Sequence, residues 1–262
     1  MSLQLIIAAV EQNTEKLLQQ MAVDSDAVLV NQCGYDSRRE MDWNGHTIKV
    51  VEISSRGVGI NRNTGILHSS SDILVFADQD MIYEKGYATA IEKEFAMHPE
   101  ADMILFNIQV GEARKTYENL KWKRVHWYNC GRYGAVSFAI RREKLLESRV
   151  MFSQLFGGGA KYSAGEDSLF LKDLMDRGIK VYASPSLIGR EEEGDSTWFK
   201  GYDEKFFFDR GVLYKQLYGI MAKPWAVRFL LAHKDKVCTK YTVKDAYRIM
   251  KKGIKNRSTI DQ

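Results

Sequence analysis

The chain has 262 residues, 45% hydrophobic and 27% charged, enough to bury one sizeable core with a small appendage beside it. Its net charge of +4 is unevenly spread: from Met221 onward eleven Lys and Arg face three Asp, giving +8, so the preceding residues carry −4. That excludes a chain that is basic throughout, and no nucleic-acid recognition motif accompanies the basic tail, so nucleic acid is not an expected partner.

Three widely spaced cysteines, Cys33, Cys130 and Cys238, match no zinc-ligand pattern and fit a reducing cytoplasm. Met1 to Ile7 lacks a basic leader, and its apolar run is too short for a signal peptide or a membrane span, so a cytoplasmic location is expected.

Leu3 to Val10 reads as a strand, followed by a helix near Thr14 to Met21. Ala27 to Cys33 and Thr47 to Ser54 supply two more strands, and Gly57 to Asn63 opens a helix that runs to about His68. The apolar run Ile73-Leu74-Val75-Phe76 is a buried strand that ends on Asp78-Gln79-Asp80. A helix near Lys85 to Met97 stops at Pro99, and Asp102 to Val110 is the next strand. Thr116 to Tyr133 is rich in aromatic and basic residues without a clear period; alternation resumes at Ala135 to Ile140, with a short helix through Leu145. The run Gly157-Gly158-Gly159 precedes Gly165-Glu166-Asp167 and a helix from about Ser168 to Asp176, capped by Gly178, before a last strand at Ile179 to Ala183. From Phe206 the pattern is helical, with breaks at Gly219 to Pro224 and near Thr239, and the last helix puts Val243, Ala246, Tyr247, Met250 and Ile254 on one face. Strands alternating with helices predict an α/β fold, a mostly parallel sheet flanked by helices, over residues 1–205, with a basic helical extension over 206–262.

Three constellations carry chemistry. Asp78 and Asp80 stand one residue apart at the carboxyl end of a strand, where open α/β sheets bind ligands. Two carboxylates cannot both be buried unpaired there, so they fit a hard divalent cation, Mn2+ or Mg2+, that arrives with a diphosphate; a solvated turn is the plain alternative. An aspartyl-nucleophile phosphatase would carry Thr or Val where Ile82 stands, and its motif would lie nearer the N-terminus. In Gly165-Glu166-Asp167, acidic residues in a first helical turn are explained by capping alone, but the preceding Phe156 to Ala160 stretch lets a ligand approach closely. A carboxylate held near a sugar hydroxyl serves as a general base. In Arg56 to Asn63, glycines and free amides at a helix N-terminus form an anion site and two arginines can clasp phosphate; a surface cap with solvated arginines is the alternative. The segment matches neither a P-loop nor a dinucleotide fingerprint in spacing.

In this order and on these elements, the motifs resemble those of the family 2 glycosyltransferases, inverting enzymes of the GT-A fold, and especially the bacterial members that build surface polysaccharides. The resemblance covers about residues 3 to 190. It implies transfer of a sugar from a nucleotide-sugar donor, a UDP-sugar first among them, to a lipid-linked saccharide acceptor in capsule, exopolysaccharide or lipopolysaccharide assembly. Carried over residue by residue, Asp80 would hold the metal, with Asp78 sharing it or contacting the donor's ribose or sugar. Asp167 would be the base, and Glu166 would orient it or contact the acceptor. Arg62, Asn63, Ala9, Asn31 and Gln32 would face the donor. From residue chemistry alone, Arg56 joins the donor side, and Gly158, Gly159 and Trp198, whose ring suits stacking on a sugar, are expected to face the acceptor, Trp198 otherwise serving as a loop anchor. Two departures stand out. Asn31-Gln32-Cys33-Gly34 replaces the acidic, serine-containing turn common in the family, which leaves the nucleotide base open. No histidine lies between His126 and His233 to complete a metal site, a place that Glu191 to Glu193, Asp195 or water would fill.

Two other functions stay open. A sugar nucleotidyltransferase would carry a glycine-rich, Arg/Lys-containing loop where Glu11-Gln12-Asn13 stands; a non-catalytic, membrane-associated sugar-binding or scaffold protein would not need intact acidic motifs. In the tail, Trp225, Phe229, Leu230 and Leu231 lie close to many of the lysines of segment 221–257, which suits peripheral contact with an anionic membrane surface; merely solvated charges are the alternative.

Overall fold

The structure, a computed structural model, describes residues 1–111, 117–192 and 201–256. Its elements run β1 (Leu3–Val10), α1 (Thr14–Gln20), β2 (Asp26–Gln32), β3 (Ser37–Trp43), β4 (His46–Ile53), α2 (Val58–His68), β5 (Ile73–Asp78), β6 (Met81–Tyr83), α3 (Tyr87–Met97), β7 (Met103–Gln109), β8 (Lys123–Arg124), β9 (Phe138–Arg141), α4 (Arg142–Ser148), α5 (Glu166–Asp176) and β10 (Val181–Glu191). Then come α6 (Glu204–Tyr218), α7 (Ala222–Ala232), α8 (Lys234–Val237) and α9 (Val243–Ile254).

Among the described residues one sheet holds the order β3-β4-β2-β1-β5-β9-β7-β10-β6, with β8 paired to β10. Strands β1, β2, β4, β5, β7 and β10 point one way, and β3, β6, β8 and β9 the other. The sheet is thus mixed: its larger part is parallel as expected, with β9 inserted antiparallel between β5 and β7. From β1 the chain moves outward to β2 and β4, then returns as β5 on the other side of β1. That reversal opens a crevice at the carboxyl ends of β1 and β5.

Alternation along the strands feeds two cores. Leu5 and Ile7 of β1, Leu29 of β2 and Val75 of β5 join one cluster with Leu17 and Leu18 of α1 and Ile91 and Phe95 of α3. Ile6, Val28, Leu74 and Phe76 point to the other face and join Ile66 of α2, Leu145 of α4 and Phe170 and Leu174 of α5. Successive strand side chains face opposite ways, so strands buried on both faces read as continuous apolar runs. Gly65 lets α2 sit close on β1, since a Cβ there would lie 2.3 Å from Ile6 Cγ2. A third cluster joins α6, α7 and α9 to Phe156, Tyr162 and Leu169 from the sheet-bearing part. Among the described residues, no helix is long and apolar enough to cross a membrane.

Candidate functional site

Asp78 ends β5 opposite Ala8 of β1. Gln79, between the two aspartates, accepts the Val10 amide at 2.8 Å and fastens the ends of β1 and β5 together. Asp80 is half-buried, and its carbonyl accepts the Glu192 amide at 2.7 Å, tying the turn to the end of β10. The acidic turn is therefore held from both sides before β6 begins.

Arg62 joins the two acidic motifs. It is 3% exposed and reaches both carboxylate oxygens of Asp78 through Nη2, at 2.8 and 3.1 Å, while Nη1 donates to Glu166 Oε1 at 3.0 Å. Burial alone would favour the neutral guanidine; Asp78 and then Glu166 more than offset this and raise its pKa above the ordinary value. The guanidinium lies 5.2 Å above the Phe152 ring, which stacks on Phe170. The start of α2 aims it there. Gly57 caps that helix at φ +124, and the Val58 amide donates to the Gly158 carbonyl at 3.0 Å. A Cβ on Gly59 would fall 2.2 Å from the Ser153 carbonyl oxygen, so only glycine lets this turn meet the loop.

Glu166 and Asp167 form the first turn of α5, entered through Gly165 at φ +117. Asp167 accepts the Ser168 amide at 2.6 Å, and its other oxygen faces Gly134, 3.8 Å from where a Cβ would stand. Burial first, and then the Glu166 charge, push the Asp167 pKa up to about 7, with Arg62 pulling the other way. Such a group in a cleft is a candidate acid or base.

Several residues expected to face a donor bond backbone around the crevice. The Ala9 carbonyl accepts from Asn61, and Ala9 itself is buried. Asn31 uses both ends of its amide on the Gln12 backbone, and Gln32 donates to the Gly57 carbonyl. Asn63 holds the Phe152 backbone with both amide atoms. Buried side chains of this kind satisfy loop backbone that would otherwise lose its hydrogen bonds. Arg56 remains at the surface, pairing with Glu11 at 2.6 Å and reaching the Gln32 carbonyl. Gly158 is half-buried and Gly159 exposed, both in the loop that meets α2. Trp198, Glu193 and Asp195 lie outside the described residues.

Asn61 escaped the reading of its motif. Its amide donates to the Ala9 and Val30 carbonyls at the crevice ends of β1 and β2. The signal for it was present: Asn61 and Gly65 stand one helical turn apart, short or polar residues on a helix face that would otherwise be apolar. Asn61 Oδ1 and Arg62 Nε are buried without a hydrogen-bond partner among the described residues.

The carboxylates of this crevice are of the kind that fits a hard divalent cation. One guanidinium serves Asp78 and Glu166, with Asp167 close enough to be felt, and Asp80 follows two residues on. Carboxylates brought together with an anionic diphosphate would suit a hard divalent cation between them. Among the described residues no three His, Cys, Asp or Glu side chains cluster as a metal site.

The sequence pattern of Glycosyl transferase family 2 matches residues 9–156, more than half of the chain. The chain belongs to this family. The matched stretch of this glycosyltransferase includes the α2 motif and Asp78-Gln79-Asp80 and ends ten residues before Glu166. No curated protein matches the chain. Among solved structures, residues 1–349 of S. aureus TarS in complex with UDP-GlcNAc superpose with a TM-score of 0.63 at 15% identity, covering 92% of this chain and 74% of that one. The chain spans 46% of a longer TarS structure, at a TM-score of 0.60 and 13% identity. A mannosyltransferase from Pyrobaculum calidifontis, in complex with GDP-Man and Mn2+, gives a TM-score of 0.52 at 13% identity over 96% of this chain and 73% of that one. These likenesses show the GT-A fold with its helical C-terminal region.

Proposed function

We propose that this glycosyltransferase moves a sugar, with inversion, from a nucleotide-sugar donor to a saccharide hydroxyl, using Asp167 as general base. The carrying observation is the Arg62 bridge, which brings the acidic turn after β5 and the first turn of α5 to one guanidinium. The donor's diphosphate lies along the acidic turn. Asp80, with Asp78, would hold a divalent ion there, and such an ion would neutralise charge developing on the departing diphosphate. Arg56 exchanges Glu11, an exposed partner worth little, for a phosphate oxygen. Asp167 accepts the acceptor hydroxyl's proton. The freed oxygen forms its bond to the anomeric carbon from the face opposite the diphosphate, whose bond to that carbon breaks with both electrons leaving on phosphate.

Glu166 and Arg62 are positioning residues: one adds to the effect of burial in raising the proton affinity of Asp167, and the other fixes Glu166 and Asp78 in place. The family and the fold likeness to proteins holding UDP-GlcNAc and GDP-Man support a nucleotide-sugar donor. A UDP-sugar donor, a lipid-linked acceptor and a place in bacterial surface-polysaccharide assembly are the finer reading drawn from the motifs.

The test is a panel of nucleotide sugars assayed for nucleotide release and for anomeric configuration by NMR. Inverted product from one donor, lost in Asp167→Asn with nucleotide affinity retained, is expected. Retained configuration, or full turnover in the variant, would remove Asp167 from the base role.

A further inference from the structure

Helix α7 is apolar on two opposite faces. Ala222, Ala226 and Leu230 are buried in the third core, with Trp225 and Phe229 packed against it. Pro224, Val227 and Leu231, spaced three and four apart, look outward; Val227 is 40% and Leu231 59% exposed. Ile220, in the turn just before, is 94% exposed and Met221 follows it at 49%. This refines the sequence reading, since Trp225, Phe229 and Leu230 turn inward and only Leu231 of that set is exposed. A surface helix with apolar residues all round has a face left uncovered. Apolar residues gathered on one face mark a contact surface, where scattered single ones do not.

Charge names the occupant. At about 100° per residue, exposed Lys223 lies on one side of Val227 and exposed Arg228 on the other, and exposed Lys234 and Lys236 follow the helix. Segment 221–256 holds ten basic residues against Asp235 and Asp245, a balance of +8. A second copy of the chain would bring the same positive surface against itself. An anionic bilayer meets both demands: headgroups face the lysines and arginine, and the acyl boundary takes the apolar stripe.

The inward face of α7 leads back towards the site. Trp225 stacks on Tyr218 at 4.7 Å and meets exposed Trp127 edge-on at 6.5 Å. The Tyr218 hydroxyl lies 3.8 Å from a Cβ placed on Gly131, and Gly134, three residues further, faces Asp167.

We propose that α7 and the turn before it form a peripheral contact with an anionic membrane surface. This stands apart from the proposed reaction and does not depend on it. The test is flotation of the full chain with vesicles of phosphatidylcholine alone and of phosphatidylcholine mixed with phosphatidylglycerol. Binding to the mixed vesicles, weakened by salt and reduced roughly tenfold or more by Val227→Asp with Leu231→Asp, is expected. Circular dichroism melting of that variant should match the parent. If it does not fold, Lys223→Gln with Arg228→Gln gives the same reading through the electrostatic half, with an expected loss confined to the mixed vesicles. Absence of binding, equal binding to both vesicles, or unchanged binding by the folded variants would overturn the proposal. So would a dimer that Val227→Asp with Leu231→Asp makes monomeric while no vesicle is bound, because the stripe would then belong to a second copy.

Discussion

Arg62 and Asp167 carry opposite electrostatic duties within one crevice. Glu166 raises the Asp167 pKa and Arg62 lowers it, with burial the largest influence. A base works ionised, so kcat/KM should fall as pH drops through about 7 and level off above it. Removing the like charge in Glu166→Gln should move that limb to lower pH, whereas Arg62→Met should move it higher; parallel shifts in the two variants would contradict the assignment. Arg62→Met should also cost about 3 kcal/mol in urea unfolding, because it strips a buried carboxylate of its partner. Asp167 has a linkage of its own. Its folded pKa lies above the ordinary 3.8, so the folded state gains from its proton, and that contribution disappears as pH rises through about 7. Asp167→Asn should therefore melt higher than the parent above neutrality, with the difference closing towards pH 4.

Elements show where sequence legibility stopped. The apolar runs of β1 and β5 were plain because both faces of each strand are buried. β3 escaped notice: Ser37-Arg38-Arg39-Glu40 is exposed on both faces of an edge strand, so no alternation survives. β10 runs on past Pro185, which sits at a break in register between Ala183 and Leu187, the kind of place where a strand tolerates proline. The direction of β9 left no mark on its residues. In the site, each motif was legible because its residues are adjacent in the chain. The Arg62–Glu166 contact was not, since 104 residues separate the partners and only the fold brings them together. Packing of α6 on α9 was equally hidden. A Cβ on Gly211 would fall 2.1 Å from the Met250 carbonyl oxygen, and one on Gly253 would fall 2.2 Å from that of Phe208. Backbone cannot yield as a side-chain end can, so Gly211→Ala should force the helices apart and cost about 1–3 kcal/mol, read as a lowered Tm.

At the scale of the whole molecule, the C-terminal helices are joined to the proposed site. Leu213 of α6 fills the space beside Gly165, where a Cβ would meet it at 2.5 Å, and buried Asp209 accepts both the amide and the hydroxyl of Ser163 at 2.9 Å. We therefore expect a chain cut before α6 to expose Phe156, Tyr162 and Leu169 and to aggregate or be digested rapidly by protease; a soluble, protected fragment would show residues 206–262 to be a separable extension. The central claim, a donor crevice built on Asp80 and served by Asp167, is tested most directly by calorimetric titration of UDP, GDP and dTDP with and without Mn2+. The account predicts that one nucleotide binds with the metal and not without it, that Asp80→Ala abolishes this binding and that Asp167→Asn keeps it. Binding of none of the three, or undiminished binding in Asp80→Ala, would contradict it.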